Sequence, residues 1–218
     1  MNKGKFYILI FLATAFVLWY FIIYKSEIKK VNIPVTDPYS ESQHIIWGYP
    51  VAEGVRIFEY EGYISGYDTV RLNPLWISYN LKKEFINGRK YLDKRKFAPD
   101  PELDKKHTAV DSDFRNSGFD RGHLARQSDM KGRSEKCEIQ SLYFTNISPQ
   151  KQNFNRKIWN NLEMSVDRLT EYFGQSWIVT GPYFDQDRQL IKNRVEIPDG
   201  FYKIVLLDTK SGMYPLAF

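Results

Sequence analysis

Three short blocks carry side chains able to do phosphate chemistry: Asp120-Arg121-Gly122-His123, then Asn146-Ile147-Ser148-Pro149-Gln150, then Asn155, Trp159, Leu162 and Glu163. A four-residue motif alone is weak, because tetrapeptides recur by chance. Together, in fixed order and at close range, these blocks supply a histidine base, an arginine for phosphate, an amide metal ligand and a carboxylate. That is the equipment for metal-assisted cleavage of a phosphodiester.

His123 is the candidate general base. A histidine with an ordinary pKa near 6.5 is mostly neutral at physiological pH and can accept a proton. The alternative is a structural histidine hydrogen-bonded at a strand end. Asn155 is the candidate metal ligand, since a neutral amide oxygen suits Mg²⁺, which keeps several waters and takes few protein ligands. Asn155 could instead cap a helix, a role also open to Asn153. Glu163 lies two turns beyond Asn155 on roughly the same face. Eight residues rise about 12 Å, so Glu163 is assigned to the water shell of the metal rather than to direct ligation. Its alternative is a surface i, i+4 partner. Arg121 is assigned to the phosphate, with Asp120 buttressing the turn; a plain surface charge is the alternative for this arginine. Asn146 is expected to orient His123 or the substrate. Gly122 is expected to permit close backbone approach beside His123, and Trp159 to pack in the core.

The chain resembles the DNA/RNA non-specific endonucleases of the ββα-metal superfamily, the endonuclease G-like group with its Asp-Arg-Gly-His motif. The matching blocks run Phe119–Ala125, Leu142–Gln150 and Asn155–Glu163, with weaker matches at Trp76–Tyr79, Arg95–Asp100 and Val179–Pro182. The resemblance covers the chain from about Gly48 onward. It implies an α+β fold, a central, mostly antiparallel sheet flanked by helices. It implies cleavage of both DNA and RNA to 5′-phosphate and 3′-hydroxyl ends, with Mg²⁺ as cofactor and Mn²⁺ able to substitute. Arg95 matches a family arginine that stabilises the transition state, with a plain surface charge as the alternative here too. The resemblance also implies a further strand and helix beyond the segment matching Met213–Phe218, where this chain stops. Two rival readings remain open: a catalytically impaired nucleic-acid-binding protein, and a phosphodiesterase acting on small diesters. A second copy of the chain and a protein inhibitor are open as partners.

Positioning these groups needs strands and one helix. Short runs rich in aromatic and β-branched residues, bounded by Gly, Pro or Asn, predict strands at Val55–Tyr60, Leu75–Leu81, Leu142–Asn146, Trp177–Thr180 and Phe201–Leu207. Phe154, Ile158, Leu162, Val166, Leu169 and Phe173 recur at spacings of four and three, which predicts a helix with that buried stripe and a stop at Gly174. Residues 90 to 118 are charged and irregular and read as a long surface excursion. Strands mixed with a few helices argue for α+β.

Composition sets the remaining bounds. The net charge is +5 over 218 residues, with a pI near 9.1, which fits a polyanionic partner without requiring one. One cysteine excludes an intrachain disulfide and a thiolate metal cluster. Three histidines leave little for a His-rich zinc site, so an oxygen-loving metal is expected. Phe6 to Tyr24 contains no charge and would span roughly 28 Å as a helix, close to a bilayer core. Residues 1–24 are therefore expected to be a transmembrane anchor, 25–43 a linker with Pro34 and Pro38, and 44–218 the nuclease domain. A cleaved signal peptide is disfavoured because the apolar run continues past Ala13-Thr14-Ala15. Flanking lysines are nearly balanced. The catalytic domain is placed on the periplasmic or extracellular side because an indiscriminate nuclease facing the genome is toxic.

Overall fold

The computed structural model describes residues 41–94, 96–185 and 187–218. The expected anchor, most of the expected linker, and Arg95 lie outside them. Ten strands are present among the described residues: β1 (Val55–Glu59), β2 (Ile64–Asp68), β3 (Asn73–Lys82), β4 (Phe119–His123), β5 (Ile147–Lys151), β6 (Gln175–Tyr183), β7 (Leu190–Ile191), β8 (Val195–Glu196), β9 (Gly200–Thr209) and β10 (Gly212–Ala217). Helices α1 (Asp111–Phe114), α2 (Gln127–Lys131) and α3 (Glu135–Gln140) are short; α4 (Asn160–Phe173) is the long one. The main sheet has the order β1-β2-β3-β6-β9-β10, every pair antiparallel. This is the expected α+β class with an antiparallel sheet.

The predicted strands at Val55, Leu75, Trp177 and Phe201 are all present, each within a few residues of its expected bounds. One is not. Phe144–Asn146 is a turn of 3₁₀ helix, and the strand begins only at Ile147. The reason is Asn146, whose side chain is fully buried and bonded to three backbone groups, bending the chain just before the strand.

One face of the main sheet packs Tyr67, Ile77, Tyr79, Ile178, Val205 and Leu207 against Val166 of α4 and Met130 of α2. A second apolar cluster, with Phe114, Phe144, Ile147, Ile191 and Val195 at its centre, backs β4 and β5. Those two strands form a separate antiparallel pair, with Asp120 opposite Gln150 and His123 opposite Ile147. The pair is fastened to the main sheet where Ser148 Oγ donates to Asn73 Oδ1 at 2.7 Å.

After β5 the chain enters a helix whose stretch Phe154–Trp159 is π-helical before α4 continues it. A π turn carries i→i+5 hydrogen bonds and so takes up an extra residue. This shifts the phase of the buried stripe. The residues that face inward are Trp159, Glu163, Val166 and Thr170, whereas Ile158 is 67% exposed. Of the predicted stripe, Val166 is buried and Leu162, Leu169 and Phe173 are partly buried against the same core. Gly174 ends the helix with φ at +95°, a left-handed turn that favours glycine.

Candidate active site

β4, β5 and the π-helical turn bring Asp120, Arg121, Gly122, His123 and Asn155 into one unit. Asp120 is its hub. Its Oδ2 accepts from Asn155 Nδ2 at 3.0 Å and from Arg156 Nε at 2.8 Å, and its Oδ1 accepts from Arg156 Nη2 at 2.8 Å. Burial pushes the Asp120 carboxyl up, but the hydrogen bonds from Arg156 and Asn155, with the charges of Arg156 and Arg121, outweigh it and hold its pKa below the ordinary value. The carboxylate ties the helix to the strand carrying His123. The three steps from Asp120 to His123 span about 10 Å of strand. Arg156 went unremarked in the sequence; its bidentate grip on Asp120 is the signal that proximity to Asn155 alone did not give.

Asn155 does not cap the helix. The helix has begun by Gln152, and Asn153 has helical backbone angles with no side-chain capping bond. With its amide nitrogen committed to Asp120, Asn155 leaves its amide oxygen for a cation. Among the described residues, no three His, Cys, Asp or Glu side chains cluster as a multidentate metal site would need. A single amide oxygen is a donor that a hard, largely hydrated cation could use.

His123 ends β4, half-buried, its ring centroid 5.4 Å from Phe97 at 42°. Of the other histidines, His107 is exposed in a 3₁₀ turn. His44 is buried, with Nδ1 accepting from Asn80 N and Nε2 against the Glu61 carbonyl. Burial and the charge of Arg133 pull His44 down to about 4, against that carbonyl bond, so it is a neutral structural group.

Arg121 Nη2 pairs with Asp111 Oδ1 at 2.8 Å and donates to the Asp111 carbonyl at 3.0 Å. Its guanidinium carbon stands 5.6 Å from the ring centres of both Phe97 and Phe114. Held this way, the cation is fixed in position rather than swinging at the surface.

Of the two roles expected for Asn146, the structure favours positioning the chain beside His123 over contact with substrate. Asn146 is 0% exposed; Oδ1 accepts from Ala125 N, and Nδ2 donates to Ala125 O and Ser141 O. These bonds brace the backbone two residues past His123 and leave nothing for substrate. Gly122 serves the site differently from expectation. A Cβ there would lie 2.2 Å from the Gln150 side chain, which folds over it. Gly122→Ala is expected to cost about 1–3 kcal/mol by overpacking. Adding Gln150→Ala should restore most of that in urea unfolding. Unchanged stability in the single variant would show that the room is not needed.

Glu163 lies on the buried stripe rather than on the surface. Its Oε2 is 3.3 Å from Arg126 Nε and its Oε1 is 3.9 Å from Lys203 Nζ. Arg126 also pairs with Asp167 and approaches Asp129, which accepts from the Tyr79 hydroxyl at 3.1 Å. Lys203, 1% exposed, sits 4.7 Å over the Trp159 ring. Burial raises Glu163 to about 7 despite Lys203 and Arg126, with Asp129 and Asp167 adding to the rise. This charged core beneath the helix was not anticipated. A readable trace was Lys203 itself, which shares the inward register of β9 with Val205 and Leu207.

A second buried network holds the excursion that carries Phe97. The Tyr60 hydroxyl donates to Asp100 Oδ2, Thr145 Oγ1 reaches the same oxygen at 3.2 Å, and Glu102 N donates to Asp100 Oδ1 at 2.8 Å.

A family model described as DNA/RNA non-specific endonuclease matches residues 40–216. Mitochondrial endonuclease G of Homo sapiens is 32% identical over 167 residues, 72% of this chain and 56% of its own. The Caenorhabditis elegans endonuclease G is 30% identical over 200 residues, 85% of this chain and 64% of its own. Mitochondrial nuclease EXOG of Danio rerio is 32% identical over 158 residues, 67% and 46% respectively. The chain thus spans between 46% and 64% of the length of these relatives. A crystal structure of an EndoG/EndoGI complex, described as showing the mechanism of EndoG inhibition, matches with a TM-score of 0.71 at 27% identity, over 81% of this chain and 78% of that one. These relatives overturn the expected location. They are named as mitochondrial nucleases. Among the described residues no helix is long and apolar enough to cross a membrane, and the expected anchor lies outside those residues. A membrane-anchored enzyme facing the periplasm or the exterior is not supported. With the family model matching residues 40–216, the chain belongs to the DNA/RNA non-specific endonuclease family.

Proposed function

We propose that this protein is a divalent-cation-dependent endonuclease that hydrolyses phosphodiester bonds of both DNA and RNA, leaving 5′-phosphate and 3′-hydroxyl ends. The observation that carries the reading is the Asp120 clamp, which presents the Asn155 amide oxygen from the strand that ends in His123. In this reading His123 accepts the proton of the attacking water at its imidazole. Arg121, fixed by Asp111, draws the phosphate through its charge. Arg95, outside the described residues, is the proposed second phosphate arginine. Asn155 would hold Mg²⁺, with Mn²⁺ as substitute, and the bound cation would supply charge neutralisation at the phosphate and at the leaving oxygen. Glu163, held by Arg126 and Lys203, is the carboxylate that in this reading would order water around the cation. Water attack needs no 2′-hydroxyl, which is why one site would serve both nucleic acids.

The test is incubation of the purified chain with supercoiled plasmid and with RNA. Nicking of the plasmid and loss of RNA should occur with Mg²⁺, stop with a chelator, and return with Mg²⁺ or Mn²⁺. Cleavage indifferent to the chelator would sink the metal assignment. A protein that binds both polymers and cuts neither would sink the enzyme.

A further inference from the structure

A cavity of about 170 Å³ lies beside the β4–β5 pair and is used by none of the roles above. Phe119, Phe154 and Phe201 line it with Pro149, and Lys151 and Asp199 also contribute. Its walls are continuous with the proposed catalytic groups. Phe119 alternates onto the same face of β4 as Arg121 and His123, about 7 Å from Arg121 along the strand. Pro149 pairs with Arg121 across the ladder, and Lys151 pairs with Phe119. Phe154 immediately precedes Asn155.

The three phenylalanines are only partly buried, so part of each ring faces the cavity or solvent. Phe154 and Phe201 are stacked, with centroids 5.4 Å apart at 21°, and both rest on the buried Trp159 ring at 5.3 and 5.8 Å. That support holds the rings in place before any ligand arrives. Lys151 is exposed beside them, while the Asp199 carboxylate accepts from Asp185 N at 2.7 Å.

We propose that this cavity takes one nucleobase of the substrate, on a nucleotide flanking the bond to be cut, with Lys151 meeting the backbone phosphate of that nucleotide. The inference rests on the nuclease reading above. A nucleobase is flat and apolar on its faces, carries its charge on the attached backbone, and so matches an aromatic slot with a cation beside it. Every base has a π face, so stacking holds the chain without reading its sequence. A small-molecule diester without a base would gain nothing from the slot. A duplex would have to unstack a base to use it.

The experiment compares KM for a short oligothymidylate and for an abasic tetrahydrofuran chain with the same number of phosphates. For the wild-type protein, removing the bases should raise KM by about 5- to 150-fold, the usual worth of base–aromatic contact. In Phe201→Leu, which keeps apolar volume and loses the flat face, the ratio of the two KM values should fall toward one. Phe119→Leu provides a second variant from the opposite wall, and thermal unfolding of both establishes that they fold. Equal KM values for the two chains in the wild type would overturn the proposal. So would an unchanged ratio in both folded variants. If the wild type cuts neither oligonucleotide nor plasmid, the nuclease reading fails and the base site falls with it. Cleavage of plasmid and abasic chain with no preference for bases would remove the base site alone.

Discussion

Replacing His123 with alanine is expected to slow phosphodiester cleavage by about 10²–10⁴-fold, the usual range for a general base, while leaving nucleic-acid affinity within a few-fold of wild type. The structure supplies reasons for expecting the two to separate. The backbone of His123 is fixed by its ladder pairing with Ile147, not by its imidazole. Arg121 is held by Asp111, and Asn155 by Asp120, so neither depends on the ring. Affinity for nucleic acid comes mainly from basic side chains on phosphates, and none of those is removed. The ring does pack on Phe97, so thermal unfolding must accompany the kinetics. Acid should act in the same direction as the mutation, because protonating the imidazole removes the acceptor, and the alanine variant should lose that acid limb of the pH–rate profile. A folded variant that cuts at the original rate would take His123 out of the chemistry. A variant that no longer folds would return it to the structural role.

The parts of this molecule that sequence reading reached are those set by local pattern. Alternating β-branched and aromatic residues marked β1, β3, β6 and β9, and Gly174 marked the end of α4 because a left-handed turn needs glycine there. Short spacing alone put His123 and Asn155 on neighbouring elements. What sequence reading missed depends on partners distant along the chain or on a change of helical period. The π turn at Phe154–Trp159 brings Trp159 and Glu163 inside and leaves Ile158 outside, so Glu163 does not take the surface role that spacing left open. Strand β2 was not anticipated because Ile64–Asp68 contains Ser65 and Gly66. Gly66 is needed there because a Cβ would run into the Trp76 indole, a contact made only once β2 lies on β3. Asn146, in a block full of chemistry, was open to orienting either His123 or the substrate. Only the fold reveals that Ala125 and Ser141 consume its amide.

Lys203→Met should cost about 3–5 kcal/mol of stability near neutral pH, the usual penalty for removing one partner from a buried ion pair. Methionine fills much the same space against Trp159, so the loss would be electrostatic rather than a cavity. Lys203 is a buried cation among Glu163, Asp129 and Asp167, and Arg126 is the other positive charge of the group. Burial lowers the pKa of Lys203 and raises that of Glu163, so neither partner gains enough from the other to offset leaving water. Burial and the neighbouring charge of Asp167 likewise raise Asp129 to about 6, against Arg126 and Lys203. A carboxyl whose folded pKa lies above its unfolded one binds its proton more tightly when folded. Its contribution to stability is therefore full below the unfolded value and is lost as pH rises through the folded one. For Glu163 that window runs from 4.5 to about 7, and for Asp129 from 3.8 to about 6. Removing Lys203 takes away a charge that favours the ionised form at both, so both folded values rise further and the penalty of ionisation grows. The deficit of Lys203→Met should accordingly be largest above pH 7 and shrink as the pH falls toward 4, where both carboxyls carry protons with or without the lysine. Urea unfolding of the two proteins at a series of pH values measures it. A deficit that stays constant across that range would mean Lys203 acts by packing on Trp159, and one that grows in acid would reverse the electrostatic assignment of this core.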